Sequence, residues 1–113
     1  MAKSTKQQCS INMDRKWCSI HKTADILDGK WTILVFRDLL RGSVRFNQLK
    51  KSVGSISPKT LSARLQFLEK AGVITRTVYP DVPPRVEYTL TSKGQALAPI
   101  LEAMDAYGDK WLK

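Results

Sequence analysis

The sequence predicts a mainly α-helical domain with one small antiparallel β hairpin, and three observations point to this fold class. Apolar residues recur every three or four positions in segments 31–39 and 97–111, as on one face of a helix. Segments 73–79 and 85–90 are instead rich in β-branched residues, and a proline-rich stretch separates them. At 113 residues, the chain is long enough for a single modest core.

The N-terminal part is expected to form an arm followed by short elements. Residues 1–16 are polar and basic and predict a flexible arm, which leaves residues 17–113 as the folded domain. The elements predicted next are a helix over 20–28, a helix over 31–41, a brief strand over 43–45 and a short helix over 46–52. Glycines at the ends of the first two helices supply the stop signals.

The segment from Ser57 to Gly72 predicts a helix with two different faces. Ser57 suits the N-cap, and Pro58 suits the first helical position, where a missing N–H costs nothing. Leucines at positions 61, 65 and 68 form one apolar stripe that faces a core. The other face carries short or cationic side chains, which reach phosphates and base edges without blocking close approach. These residues are Lys59, Thr60, Ser62, Ala63 and Arg64.

The C-terminal third is expected to form a wing and a last helix. The two strands enclose a tip with three prolines, which stiffen it and hinder edge-to-edge aggregation. A final helix is predicted from Thr91 to Lys113, with a kink near Pro99. Together, the helix pair and the hairpin predict a winged helix-turn-helix.

The positive charge is concentrated in the middle of the chain. The formal net charge is +9, and residues 37–93 carry eleven Lys or Arg against four Asp or Glu. Residues 94–113 carry two Lys or Arg against three Asp or Glu. Such an asymmetry favours a polyanionic partner for the helix-turn-helix and wing.

Several function classes have no support in the sequence. A single histidine, with no paired acid cluster and no glycine-rich phosphate loop, provides no catalytic constellation, so we do not expect an enzyme. No cofactor is predicted either. Residues 1–16 lack an apolar signal segment and no apolar run could span a membrane, so we expect a cytoplasmic protein that does not bind membranes. In that compartment the two cysteines are expected to be thiols.

The chain resembles the HxlR-type winged helix-turn-helix transcriptional regulators, relatives of the MarR group, over roughly residues 18–111. The matching motifs are Gly29-Lys30-Trp31-Thr32, Arg45-Phe46-Asn47-Gln48-Leu49, Ile56-Ser57-Pro58-Lys59-Thr60-Leu61-Ser62, Leu65, Leu68-Glu69, Gly72, Tyr79-Pro80, Val82-Pro83-Pro84-Arg85-Val86-Glu87-Tyr88, Leu90-Thr91 and Lys93-Gly94. The resemblance implies a homodimer that places two recognition helices in the major groove and two wings in neighbouring minor grooves. Half-sites roughly 34 Å apart suit such a dimer.

The resemblance also implies which residues bind DNA. Those expected at the DNA are Ser57, Pro58, Lys59, Thr60, Ser62 and Arg64 of the recognition helix, Arg85 of the wing, and Arg45, Asn47 and Gln48 near the backbone. Arg64 is the leading candidate, because a guanidinium can bind either a base or a phosphate. Dimerisation is expected through the N- and C-terminal helices. The interface candidates are Ile20, Leu97, Ile100, Leu101, Met104, Tyr107 and Trp111.

Cys18 stands where the family usually carries a cysteine, which senses oxidants or electrophiles in several members. Neighbouring cations and a predicted helix N-terminus favour its thiolate form. The alternative is a small buried side chain that packs the first helix. Cys9 lies outside the resemblance; it is either a resolving partner for Cys18, within or between chains, or an exposed thiol.

Other interpretations stay open at the level of sequence. Cys9, Cys18 and His21, with Asp14 or Asp25, form a weak candidate zinc set, and we predict no metal. A regulator released by a small-molecule ligand without cysteine chemistry is one alternative, and its effector is unknown. A non-specific architectural DNA-binding protein is another, because phosphate contacts alone give affinity. RNA binding is disfavoured, because no exposed aromatic platform is evident.

Overall fold

The computed structural model describes the backbone of residues 15–113 and the side chains of residues 17–113. The predicted arm therefore lies almost entirely outside the described residues. The elements are, in chain order, α1 (Arg15–Ile26), α2 (Lys30–Leu39), β1 (Val44–Arg45), α3 (Phe46–Val53), α4 (Pro58–Lys70), β2 (Ile74–Tyr79), β3 (Arg85–Leu90), α5 (Ser92–Gln95) and α6 (Ala98–Trp111). Helices precede a small sheet and two helices follow it, so the predicted fold class is confirmed.

The core lies between α2, α3, α4 and the sheet. Phe36 of α2 and Leu49 of α3 are fully buried, and the predicted stripe of Leu61, Leu65 and Leu68 is at most 1% exposed. Burial of a leucine side chain stabilises a fold by roughly 1.5–3 kcal/mol, so this stripe alone fixes α4 firmly on the domain. The opposite face of α4 is left at the surface.

The sheet has three antiparallel strands in the order β1-β3-β2. The predicted hairpin is present, and the brief strand β1 adds to its β3 edge, so the wing is anchored to the helix-turn-helix on one side. Tyr88 of β3 pairs with Val44 of β1 and with Arg76 of β2. Because side chains alternate along a strand, Arg76 shares a sheet face with Ile74, which is buried against the core.

The turn after α4 is held by the segment that follows β3. Gly72 has a φ of +81°, a left-handed conformation that favours glycine. Thr91 Oγ1 donates to the carbonyl of Gly72 and Lys93 Nζ donates to the carbonyl of Ala71, each at 2.7 Å. A Cβ atom on Gly94 would lie 2.1 Å from the carbonyl oxygen of Val73. The segment between α4 and β2 and the helix α5 therefore pack backbone to backbone.

The C-terminal segment differs from the single kinked helix that was expected. It forms two helices, α5 and α6, with a break before Ala98. Pro99 stands in the first turn of α6, where proline is tolerated, so it begins a helix and does not kink one. Within residues 15–113, no helix is both long and apolar enough to cross a membrane.

Candidate nucleic-acid interface

The side chain of Ser57 caps the N-terminus of α4. Ser57 Oγ accepts a hydrogen bond from the backbone N–H of Thr60 at 3.0 Å and lies 2.9 Å from Thr60 Oγ1. Pro58 occupies the first turn, as predicted. This cap fixes the first turn of α4, so the exposed residues there are presented from a rigid scaffold.

The exposed face of α4 matches the sequence expectation near the N-terminus and extends further than expected. Lys59 and Thr60 are exposed, and no ion pair to Lys59 occurs within the described part of the chain. Ser62 is half-buried, and the exposed surface continues through Gln66 and Glu69. Sequence reasoning stopped at Arg64 and missed these last two residues, although both lie off the leucine stripe.

A groove of about 950 Å³ separates α4 from the wing. Its lining residues are Ser62, Gln66 and Glu69 of α4, Arg76, Val86 and Tyr88 of the sheet, Arg45, Phe46 and Asn47 beside β1, and residues 81–85 of the wing tip. The groove therefore joins the recognition helix and the wing into one concave surface. Gln48 lies next to it, and its side chain accepts a hydrogen bond from the backbone N–H of Arg45 at 3.0 Å, which caps α3.

Arg85 is held at the base of the wing tip by two carboxylates. Its Nη1 lies 3.4 Å from Asp81 Oδ2, and its Nε lies 3.3 Å from Glu87 Oε2 without hydrogen-bond geometry. Its guanidinium also stacks over the ring of Tyr79 at 4.2 Å. Glu87 reaches a second cation, Arg45, at 3.9 Å. The pair with Asp81, which is 51% exposed, contributes little, so a phosphate can replace that carboxylate at small cost.

Arg64 makes hydrogen bonds within the protein that the sequence did not predict. Its Nε and Nη2 atoms donate to Thr32 Oγ1 at 3.2 and 3.0 Å, and Nη2 also donates to the carbonyl of Asp28 at 2.5 Å. The guanidinium lies 5.4 Å from the centroid of the Phe67 ring. The residue expected to be the main DNA contact is thus half-buried and bound to the α1–α2 turn. Helical spacing placed Arg64 off the leucine stripe but carried no information about this turn.

Arg76 is a cation in the groove that sequence reasoning missed. It is exposed, it faces the groove from β2, and within the described residues it has no ion pair. The strand period could have found it, because it stands two residues after the buried Ile74 and so shares its face. Among the described residues, Arg76 is therefore the cation on the sheet side of the groove that is not paired with a carboxylate.

Apolar side chains cover the exposed faces of α1 and α6. Tyr107 and Trp111 are 61% and 64% exposed, and Met104 is 47% exposed. The other exposed large apolar residues of these two helices are Trp17, Ile20 and Ile100. Of the other expected interface residues, Leu97 is buried in the core, and Leu101 on α6 packs partly against it. Both sit near the start of α6, where that helix still touches its own domain.

Cys18 is half-buried on α1 and is disulfide-bonded. The expectation of a thiol at this position is therefore wrong for this structure, since the compartment argument behind it does not address local geometry. Cys9, the other cysteine of the sequence, lies outside the described residues. Among the residues that are described, no three His, Cys, Asp or Glu side chains are grouped to hold a metal ion.

Comparison with known proteins gives consistent matches over most of the chain. The model of the HxlR-like helix-turn-helix family matches residues 26–113. The uncharacterized HTH-type transcriptional regulator sll1512 of Synechocystis is 48% identical over 96 residues, which cover 85% of this chain and 71% of that protein.

Two solved structures have the same fold. The redox regulator HypR in its reduced form is 37% identical with a TM-score of 0.77, and the match covers 81% of this chain and 91% of HypR. The reduced form of the transcriptional regulator YodB from Bacillus subtilis is 33% identical with a TM-score of 0.75. The match covers 88% of this chain and 94% of YodB.

Proposed function

Because the chain belongs to the HxlR-like helix-turn-helix family of transcriptional regulators, we propose that it is a cytoplasmic repressor that binds a palindromic operator as a homodimer. The observation that carries the proposal is the two-sided structure of α4. Its leucine stripe is buried, while its other face borders an open groove shared with the wing. A rigid helix with short polar side chains outward fits the major groove of B-DNA.

The charges around the groove support a nucleic-acid partner. Lys59 at the N-terminus of α4 and Arg76 on β2 have no carboxylate partner within the described residues. Arg45 and Arg85 share Glu87, and Arg85 also pairs with Asp81. We assign phosphate contacts first to Lys59 and Arg76. Arg85 would bind a phosphate in place of Asp81. Asn47 and Ser62 would contribute hydrogen bonds from uncharged side chains.

The experiment that tests the proposal begins with selection of duplexes from a randomised pool, because the operator is unknown. The affinity for the selected duplex is then compared with that for a scrambled duplex at one salt concentration. We expect a ratio of about 10³ or more, as for sequence-specific regulators. A ratio near one would instead support a non-specific architectural DNA-binding protein.

A reporter gene separates repression from activation. The selected duplex is placed between a promoter and the reporter, and expression is measured with and without the protein. We expect lower expression when the protein is present, because a dimer on the duplex blocks the polymerase. Higher expression would contradict the assignment as a repressor while leaving sequence-specific binding intact.

The homodimer is supported by the apolar faces of α1 and α6. A soluble monomer rarely leaves so many large apolar side chains exposed on two helices, and a second copy of the chain would cover them. Two recognition helices related by a two-fold axis would then read two half-sites about one helical turn apart. Light scattering should give twice the 12.8 kDa mass of the chain, and a mass of one chain would overturn the dimer.

Control by oxidation at Cys18 is the finer part of the proposal. Cys18 lies on α1, one of the two helices with the exposed apolar faces, and the similar HypR is described as a redox regulator. Disulfide chemistry on α1 would change the dimer geometry and hence the spacing of the recognition helices. We expect operator affinity to differ between reduced and oxidised protein, and Cys18→Ser to remove that difference. Equal affinities would favour a small-molecule effector instead.

A further inference from the structure

Arg64 connects the recognition helix to the turn between α1 and α2. Both acceptors are neutral: the hydroxyl of Thr32, which is fully buried in the first turn of α2, and the main-chain carbonyl of Asp28 in the turn before it. The charge of Arg64 is thus hydrogen-bonded without being cancelled, unlike that of Arg85, which faces two carboxylates. Hydrogen bonds from a charged donor are among the stronger ones in proteins.

The direction of these bonds limits what Arg64 offers to DNA. Nε and Nη2 are directed at the protein, so the two-pronged contact by which arginine reads guanine would require breaking the bonds to the turn. The ring of Phe67, one turn later on α4, stacks beside the guanidinium and restricts it further. The side chain is therefore arranged for a contact within the protein.

We propose that Arg64 is a positioning residue, which sets the orientation of the recognition helix by fixing α4 to the α1–α2 turn and does not itself read DNA. The inference rests on the proposed function, since it concerns how that helix is presented to the operator. It has an unusual consequence: operator affinity depends on the hydroxyl of Thr32, a buried residue that DNA cannot touch. It also makes the placement of α4 depend on the C-terminal end of α1.

A matched pair of variants at Thr32 tests the proposal. Thr32→Val removes the hydroxyl and keeps the branched shape, whereas Thr32→Ser keeps the hydroxyl and removes the methyl group. We expect Thr32→Val to lower the affinity for the selected duplex about tenfold, roughly the cost of one charge-assisted hydrogen bond. Thr32→Ser should retain most of the affinity. Circular dichroism below the unfolding temperature establishes that each variant is folded.

Variants at Arg64 supply a second arm, which remains available if Thr32→Val does not fold. Arg64→Lys keeps the positive charge but loses the planar fork, so it should lose about as much operator affinity as Arg64→Ala. The salt dependence of binding should stay unchanged in both, because no phosphate contact is removed. As a control, Lys59→Ala should reduce the slope of log K against log salt by about 0.9.

The outcomes separate this inference from the proposed function. Loss of affinity in Thr32→Val but not Thr32→Ser, with an unchanged salt slope in both Arg64 variants, supports positioning. Wild-type affinity in folded Thr32→Val, or rescue by Arg64→Lys together with a reduced slope in Arg64→Ala, would overturn it in favour of direct contact. If the wild-type protein shows no preference for any selected duplex, the result contradicts the proposed function itself, before the role of Arg64 comes into question.

Discussion

The helices α4 and α6 have similar patterns in the sequence and opposite surroundings in the structure. They span 13 and 14 residues, and both carry apolar side chains at three- and four-residue steps. The stripe of α4 is at most 1% exposed, whereas α6 has no buried residue and Trp111 is 64% exposed. Amphipathic spacing therefore predicts which face of a helix is to be buried. It does not tell whether that face packs against the same chain or against another one.

The difference assigns separate tasks to the two helices. Because its own domain holds α4 rigidly, the polar face of that helix is free for a partner of opposite charge. Because nothing among the described residues covers most of α6, its apolar face is available to a partner that is also apolar. The predictions below perturb one helix or the other and are ordered by the size of the expected effect.

The largest effect is expected from a charge on the exposed apolar face of α6. In Met104→Glu, the dimer interface would bury an unpaired carboxylate, which costs about 3–5 kcal/mol of association free energy. Light scattering over a concentration series should show the mass of a single chain, with the helical content retained. Glu102→Gln, on the other side of α6, is the control and should keep the mass of two chains. An unchanged mass for Met104→Glu would mean that this face is not the interface.

A cavity in the stripe of α4 is expected to have the next largest effect. Leu65→Ala should lower the free energy of unfolding by about 2–5 kcal/mol, because Leu65 is 1% exposed and packs within the core. Urea denaturation monitored by circular dichroism measures the change. Gln66→Ala, at the exposed neighbouring position, should alter stability very little. Equal effects of the two variants would contradict the contrast between the two faces of α4.

The sequence predicts more of the fold than of the interface, for a physical reason. Helix and strand periods report which side of an element is covered, and they placed Leu61, Leu65 and Leu68 correctly. They also identified β1, whose pairing with β3 makes the sheet three-stranded. The break before α6 was missed, because Pro99 is compatible with both a kink and a first turn.

Side-chain direction explains what the sequence could not predict at the interface. Arg64 is a long side chain whose head binds acceptors 32 and 36 residues earlier in the chain, and no local pattern reveals those acceptors. Arg76 was overlooked for the opposite reason, since a cation on a strand looks like an ordinary exposed charge. Short residues such as Ser57, which bind their own backbone, were predictable.

A smaller effect is expected where α4 ends against α5. Gly94→Ala would place a Cβ atom 2.1 Å from the Val73 carbonyl oxygen, so the backbone must shift. The free energy of unfolding should fall by about 1–3 kcal/mol, the usual range for overpacking. Thermal denaturation of Gly94→Ala and of Gln95→Ala, an exposed neighbour, provides the comparison. Stability equal to that of wild type would show that the close approach of α4 and α5 is dispensable.

The smallest effect is expected from removal of the cap on α4. Ser57→Ala deletes the oxygen that accepts from the Thr60 N–H and should lower the free energy of unfolding by about 1 kcal/mol. Ser55→Ala, two residues earlier in the turn and exposed, is the matched control and should be near neutral. Because α4 is held mainly by its leucines, we expect the cap to affect hydrogen exchange in its first turn more than global unfolding. If both serine variants exchange like wild type, the first turn of α4 is fixed by packing alone, and the contrast with α6 rests entirely on the buried stripe.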